Sequence, residues 1–310
     1  MENKMVSHSP HLRSKDTTSG IMLDVIIALV PALLVGFAVF GPWAVAVVAV
    51  TVGVSLLSEF ICNKIMKKQN SLTDLSAVVT GLLLGMNLPS TLPLWMAAIG
   101  AAVSIVVVKM MFGGLGQNFA NPAIVGRIVL MVSFTSAMTN WATPFSWLTS
   151  ADAVTSATAL AGGKYSYLDL FLGNCGGCIG EVSAAALLLG GIYLVARRVI
   201  IPVAPIFFIG TVALMSWIFG ADPLTAILSG GVFLGAIFMA TDYVTTPTTP
   251  VGSIIFGIGC GIITVVIRQF GSLPEGVSYS ILIMNLLTPH IDNITRLKPF
   301  GWRETQNDRK

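Results

Sequence analysis

The sequence predicts an all-α membrane protein that crosses the bilayer several times. Hydrophobic residues form 55% of the 310 residues and charged residues only 10%, whereas soluble domains carry about 25% charged residues. Mean hydropathy is +0.84. Ten apolar runs are candidates to cross a ~30 Å hydrocarbon core: 21–41, 43–63, 73–88, 93–111, 121–138, 181–197, 202–219, 224–241, 250–267 and 277–291. The third, eighth and tenth are short or interrupted, which predicts broken helices.

The basic residues predict the orientation of these runs. With a cytoplasmic N-terminus, only Lys164 and Arg268 of the 17 lysines and arginines fall on the outer side. Because basic residues concentrate on the cytoplasmic side of membrane proteins, this map places both termini on the cytoplasmic side of the membrane. Residues 1–20 lack an apolar core and are expected to be a polar tail rather than a cleavable signal. No basic stripe indicates a nucleic-acid partner.

An internal similarity predicts two repeats. TGLLLG (80–85) resembles SGGVFLG (229–235), and two further matches follow at a constant offset, Pro89 with Pro247 and Phe112-Gly113 with Phe270-Gly271. Five spans per unit is an odd number, so the repeats would be inverted in the membrane. The alternative is chance similarity between glycine-rich apolar helices. The predicted organisation is a tail (1–20), a five-helix repeat (21–141), an outer loop (142–180), a second five-helix repeat (181–295) and a cytoplasmic tail (296–310).

Two polar loops interrupt the apolar runs, and we interpret them as equivalent breaks. FGGLGQNFANPAIVGR (112–127) contains Asn118 and Asn121, and MATDYVTTPTTPVG (239–252) contains Asp242. Polar groups at membrane depth are costly unless paired. These side chains therefore either cap helix ends or hold a polar ligand.

Few ionisable residues lie within the runs. Asp24, Glu59 and Arg127 suit ion movement, or they pair with neighbours of opposite charge. Cys175 and Cys178 in NCGGC have zinc-like spacing, but no second cysteine or histidine pair completes a tetrahedral site, so we expect no metal site. No nucleophile–base constellation is present, and we assign no catalytic residue.

The segment DAVTSATALAGG (152–163) combines three hydroxyl side chains with small residues on the predicted outer face. By composition alone it is an ordinary outer loop. Four segments together, however, resemble one family in the same order along the chain: FGGLGQNFANPA (112–123), DAVTSATAL (152–160), GNCGGCIGEVSAAALLLGG (173–191) and GAIFMATDYVTTPTT (235–249). The chain resembles the RnfD subunits of Rnf-type ion-translocating ferredoxin:NAD⁺ oxidoreductase complexes, which are related to the NqrB subunits of the Na⁺-translocating NADH:quinone reductase. The resemblance covers about residues 20–295.

The resemblance implies a covalent flavin. In that family a D-x-x-[S/T]-[G/S]-A-T segment carries FMN, joined through its phosphate to the last threonine, which is Thr158 here. Asp152, Thr155, Ser156 and Ala157 would serve recognition and access, and Ser156 stands where many members have glycine.

The resemblance also implies a site around the flavin. The segment Gly173–Glu181 would open a helix whose N-terminus suits phosphate, with Glu181 as a helix cap or a wall of the flavin site. A second, non-covalent flavin, riboflavin, is expected near Asn118, Asn121 and Asp242.

The implied function is electron transfer coupled to Na⁺ or H⁺ translocation, as one component of an enzyme complex. Its partners would include a second covalent flavoprotein subunit and iron–sulfur subunits. Two other functions also suit the sequence: a channel or secondary transporter without a redox role, which inverted repeats and an intramembrane aspartate would serve equally well, and a structural scaffold for other subunits.

Overall fold

A computed structural model of the chain describes residues 17–67, 71–148, 160, 163, 165–271 and 275–296. Across these ranges the chain forms helices and connecting turns and no β-strand. The prediction of an all-α protein is confirmed.

Thirteen α-helices follow one another in the described residues, and two of them continue into wider π-helical turns. The helices are α1 (Thr18–Phe40), α2 (Pro42–Ile65), α3 (Ser76–Met86), α4 (Leu94–Val103), α5 (Pro122–Ser133), α6 (Thr135–Met138), α7 (Tyr167–Leu172), α8 (Ala184–Ala196), α9 (Val203–Ile218), α10 (Pro223–Leu228), α11 (Val232–Leu234), α12 (Pro250–Phe270) and α13 (Val277–Thr295). The π-helical turns are Ser104–Met110 after α4 and Gly235–Met239 after α11.

Helix length separates two kinds of element. Among the described residues, α1, α2 and α12 are long and apolar enough to cross a membrane. Helix α3 has 11 residues, about 16 Å of helix, which is half of a bilayer core. The eighth predicted run is broken between α10 and α11, where Gly230 and Gly231 have φ values of +67° and +68°. The breaks predicted in the third and eighth runs are therefore present, whereas the tenth run lies within the continuous helix α13 and its predicted break is wrong. The number of membrane crossings stays a prediction.

The two halves of the chain repeat the same helix contacts. Helix α2 packs on α4 as α9 packs on α12, and α4 packs on α5 as α12 packs on α13. Phe112 and Phe270 both lie at the ends of corresponding helices, α4 with its π-helical turns and α12. These contacts support a repeat, and its inversion in the membrane stays a prediction. The loops 112–127 and 239–252 do not occupy equivalent places, because one follows the fourth helix of its half and the other follows the third.

Close contacts between α1 and α8 and between α5 and α13 join the halves. At the first of these, a Cβ on Gly190 would overlap the carbonyl oxygen of Ala28 and lie 3.0 Å from Cζ of Phe238. Only a residue without a side chain lets α8 approach α1 so closely, and small residues commonly play this part between membrane helices.

Gly190→Ala is expected to lower the free energy of unfolding by about 1–3 kcal/mol, because the new methyl group forces α1 and α8 apart. Gly210→Ala is the matched control, since a Cβ at Gly210 in α9 meets no atom of the described residues within 4 Å. That control is expected to be neutral or stabilising by up to about 1 kcal/mol. Denaturation of the purified chain in mild detergent measures both effects, and equal effects would show that the α1–α8 contact is loose.

Candidate functional site

The loops 112–121 and 240–249 line one cavity. The side chain of Asn121 caps α5, its Oδ1 accepting from the backbone N–H of Ala123 at 3.1 Å, while its Nδ2 donates to the carbonyl of Met239 at 3.4 Å. Oδ1 of Asn118 is buried and has no hydrogen-bond partner within the described part of the chain. Asn118, Asn121 and Asp242 line one cavity of ≈ 90 Å³, which we name the amide cavity. The structure thus brings together the three residues predicted for a second flavin.

The amide cavity suits a flavin in chemistry but not in volume. Amide groups and an unpartnered oxygen match the polar edge of a flavin ring. Yet ≈ 90 Å³ is far below the roughly 300–1,000 Å³ of ordinary small-molecule pockets. Burial raises the pKa of Asp242. The hydrogen bond that its Oδ2 accepts from Oγ1 of Thr245 at 3.2 Å acts in the opposite direction. We assign no step of electron transfer to a flavin in this cavity.

A buried ion pair borders the amide cavity. Nζ of Lys109 lies 2.8 Å from Oε2 of Glu59, and the two side chains are 2% and 0% exposed. Nζ also donates to Oγ of Ser76 at 2.5 Å. Asp24 forms a second pair, accepting from Arg197 at 3.2 Å and from the hydroxyl of Tyr193 at 2.8 Å. The pairing interpretation of Asp24 and Glu59 is confirmed.

Arg127 forms a third pair between the halves. Its guanidinium is bonded to the carboxylate of Glu275 and to Oδ1 of Asn87, and Nη2 lies 3.2 Å from Sγ of Cys178. Helix α5 supplies Arg127, the end of α3 supplies Asn87, and the turn before α13 supplies Glu275. Although Lys109 and Arg127 are predicted to flank an inner loop, both are buried and paired with carboxylates.

We name the group Arg127, Cys178, Glu181, Arg268 and Glu275 the arginine cluster. Donor atoms of Cys178, Glu181 and Glu275 lie within 4.8 Å of one another, a spacing that suits a metal ion. The guanidinium of Arg127 already contacts two of these three residues, so it holds the position that a cation would take. Burial raises the pKa of Glu275, and the guanidinium of Arg127 acts in the opposite direction.

Both cysteines of the NCGGC segment are free thiols in the structure. Sγ of Cys178 faces Arg127 and Glu275, whereas Sγ of Cys175 lies 3.7 Å from the carbonyl of Val182. Burial raises the pKa of both thiols, that of Cys175 to about 12, so both are protonated at neutral pH.

Glu181 does not cap a helix. Helix α8 begins at Ala184, and Ser183 provides the cap, its Oγ accepting from the N–H of Ala186 at 3.3 Å. Glu181 instead stabilises the preceding turn, since Oε1 accepts from the N–H of Cys178 at 3.1 Å. Its Oε2 is covered and has no hydrogen-bond partner among the described residues. Its part as a wall of the flavin site stays a prediction.

The predicted flavin-attachment residues lie outside the described residues: Asp152, Thr155, Ser156, Ala157 and Thr158. Leu160 is the described residue nearest to them in the sequence. A Cβ on Gly230 would overlap Cδ1 of Leu160 and lie 2.6 Å from Nη2 of Arg268. Leu160 therefore packs on the break between α10 and α11, at the edge of the arginine cluster.

Sequence reasoning missed Glu275 and Asn87 as members of this site. Glu275 lies in a short connection between α12 and α13, and Asn87 directly follows α3. The available signal was a single carboxylate and a single amide at the ends of apolar runs. Such residues are usually solvated, and only the fold places them against Arg127.

These features define a class of protein: a helical membrane protein with short, broken helices that surround buried polar centres. The chain belongs to the NQR2, RnfD, RnfE family, which matches residues 5–301. It is 47% identical to the D subunit of the Na⁺-translocating ferredoxin:NAD⁺ oxidoreductase complex of Acetobacterium woodii, over 99% of this chain and 98% of that protein. It is 42% identical to the D subunit of the proton-translocating ferredoxin:NAD⁺ oxidoreductase complex of Clostridium ljungdahlii, over 96% of each chain. The D subunit of the ion-translocating oxidoreductase complex of Alcanivorax borkumensis is 36% identical, over 97% of this chain and 98% of its own.

Proposed function

We propose that this chain is the flavin-carrying RnfD subunit of an ion-translocating ferredoxin:NAD⁺ oxidoreductase complex. The segment Asp152–Thr158, within a chain that belongs to this family, carries the proposal. FMN attached to Thr158 through its phosphate would supply the redox chemistry, and the protein would set its position and potential. Electron flow through the complex would be coupled to Na⁺ or H⁺ movement, and the relatives named above include one of each kind.

The arrangement around Leu160 supports a polar group at this place. Arg268 and Glu181 adjoin the Gly230–Gly231 break, and each has a covered polar atom without a hydrogen-bond partner among the described residues. Buried polar atoms are normally satisfied, so Nε of Arg268 suits an acceptor oxygen of a bound cofactor and Oε2 of Glu181 suits an N–H donor of its ring. The chain's own residues would hold and orient this group and exclude water from it.

The proposed setting is a prokaryotic plasma membrane, with both termini cytoplasmic and Thr158 on the outer side. A second covalent flavoprotein subunit would exchange electrons with the chain there, and iron–sulfur subunits would complete the path. The relatives' names, which make each of them one subunit of a complex, support partner subunits in general.

The test is flavin attachment. The complex, purified from cells with a flavin transferase and denatured in SDS, is expected to show in-gel fluorescence in this chain and a mass increase of FMN minus water. Thr158→Ala is expected to abolish both signals, because the acceptor hydroxyl is lost. Thr149→Ala, which removes a threonine hydroxyl from the same predicted outer loop but outside the motif, is the matched control and is expected to keep them.

Three outcomes would contradict the proposal. A colourless chain of unmodified mass would favour a channel or transporter without a redox role. Fluorescence that persists in Thr158→Ala would move the attachment site to another residue. If Thr158→Ala left electron transfer through the complex intact, the chain would act as a scaffold.

A further inference from the structure

Two cavities of opposite character border the turn 197–200 that joins α8 to α9. The first, which we name the apolar groove, has a volume of ≈ 440 Å³ and is lined by residues within 188–196 of α8, by residues within 200–209 and by Ile237. Each of its described lining residues is apolar. Ile192 and Ile206 on its two walls are 65% and 62% exposed. The groove is therefore open to the outside of the chain.

The second cavity, which we name the head cavity, is polar and cationic. It has a volume of ≈ 310 Å³, and its lining includes Arg197 and Arg198 from the turn and Thr17 and Gly20 from the start of α1. Asp24 also lines it and accepts from Arg197 at 3.2 Å. Two arginines and one aspartate leave one positive charge in excess among the described lining residues. The N-terminus of a long helix adds partial positive charge, so the head cavity suits an anion.

Arg198 occupies a backbone position that usually belongs to glycine. Helix α8 ends in a Schellman motif, in which the N–H of Val199 donates to the carbonyl of Leu194 at 2.9 Å and the N–H of Arg198 donates to the carbonyl of Val195 at 3.0 Å. The φ value of Arg198 is +58°, which is unfavourable for a residue with a side chain. Within the described ranges Arg198 belongs to none of the three salt bridges. A long cationic side chain kept at this position indicates a use for its guanidinium.

The two cavities together fit an amphiphile with a negative charge. A membrane helix of another subunit usually packs on small residues or pairs with polar side chains, whereas the walls of the apolar groove are mainly leucine, isoleucine, valine and proline. A soluble anion would use the head cavity and leave the groove empty. The orientation predicted from the basic residues places the turn on the cytoplasmic side, where anionic phospholipids are concentrated.

We propose that the chain binds an anionic phospholipid at the turn between α8 and α9, with the lipid phosphate at Arg198 in the head cavity and one acyl chain in the apolar groove. The planar guanidinium is the side chain best suited to bind phosphate oxygens. Isoleucine, leucine and valine walls offer an acyl chain the apolar contacts that it needs. The site uses no residue of the predicted flavin segment, so the proposal does not depend on flavin attachment.

Photo-crosslinking of the purified, delipidated complex tests the site. The probe is phosphatidylglycerol with a diazirine in its acyl chain, and mass spectrometry maps the labelled residues. Labelling within residues 188–209 is expected. Arg198→Gly is expected to lower this labelling about fivefold at subsaturating probe, since one arginine near an anionic lipid surface contributes about that factor in affinity. Because glycine suits the left-handed backbone, this variant keeps its fold.

Two further variants separate the groove from the charge. Ala196→Phe places a ring in the apolar groove from an exposed position and is expected to prevent labelling while both arginines remain. Lys67→Gly is the matched control for Arg198→Gly, because Lys67 is also an exposed cation with a positive φ, +51°, and lines neither cavity. It is expected to leave the labelling unchanged.

Four results would overturn the proposal. Equal labelling by a phosphatidylcholine probe with the same acyl chain, or undiminished labelling of Arg198→Gly, would show that the site does not recognise the negative charge. Loss of labelling in the presence of an equal concentration of glycerol 1-phosphate would identify a site for a soluble anion. Absence of label from residues 188–209 would show that a partner subunit, rather than a lipid, covers the groove.

Discussion

Arg127→Leu is expected to lower the free energy of unfolding by about 3–5 kcal/mol, because it leaves the carboxylate of Glu275 buried without its partner. Arg127 and Glu275 are 3% and 5% exposed, so water cannot replace the lost interaction. The same change also removes the donors to Asn87 and Cys178. Denaturation of the purified chain in mild detergent measures the effect.

The double variant Arg127→Leu/Glu275→Leu is expected to recover much of this loss, since two apolar side chains leave no uncompensated charge. Arg197→Leu is the control for removing an arginine from a pair with an aspartate. Its side chain is 59% exposed, so a change of at most about 1 kcal/mol is expected. A loss from Arg127→Leu as small as that of the control would mean that water reaches Glu275.

Lys109→Met is the second large effect that we expect, again about 3–5 kcal/mol of destabilisation, because Glu59 loses its buried cation. Methionine keeps the length and apolar stem of lysine, so the loss reports charge rather than volume. Lys64→Met, at an exposed lysine in the last turn of α2, is expected to change stability by less than about 0.5 kcal/mol. Thermal unfolding of the three proteins under one condition gives the comparison.

A companion substitution tests whether the pair alone explains the loss. Adding Glu59→Leu to Lys109→Met removes the stranded carboxylate and is expected to restore stability in part. Ser71 donates to Oε1 of Glu59 at 2.5 Å and would lose its acceptor, so full recovery is not expected. If the double variant is no more stable than Lys109→Met, packing around Lys109 rather than the unpaired charge accounts for the destabilisation.

Several features of the fold follow from local sequence. The apolar runs all contain helices, and glycine at 230 and 231 indicates the break in the eighth run, since left-handed backbone favours glycine. Asn121 before Pro122 predicts a helix start, which the structure has. These signals act over a few residues, so a sequence reveals them directly.

Other features depend on distant contacts and were not predictable. Arg127 and Glu275 are 148 residues apart, and neither residue alone indicates the other. The π-helical turns Ser104–Met110 have an ordinary apolar composition, yet they place Lys109 beside Glu59. Glu181 precedes an apolar run, as a helix cap does, but Ser183 lies nearer to the first free N–H groups and takes that part. Which of two neighbouring polar residues caps a helix therefore depends on their positions relative to its first turn.

The unequal helix lengths also bear on how the chain enters a membrane during synthesis. Helices α1 and α2 are made first, and each has the length and apolar character to insert alone. Helices α3 to α5 are shorter, and this part of the chain contains the buried cations Lys109 and Arg127. In lipid, its exposed backbone groups and charged side chains need partners within the protein. Lys109 finds its carboxylate on α2, which is already present, whereas Arg127 must wait for Glu275 near the end of the chain. The first half is therefore expected to enter the bilayer with Lys109 already paired, whereas Arg127 gains its partner only when the second half is complete.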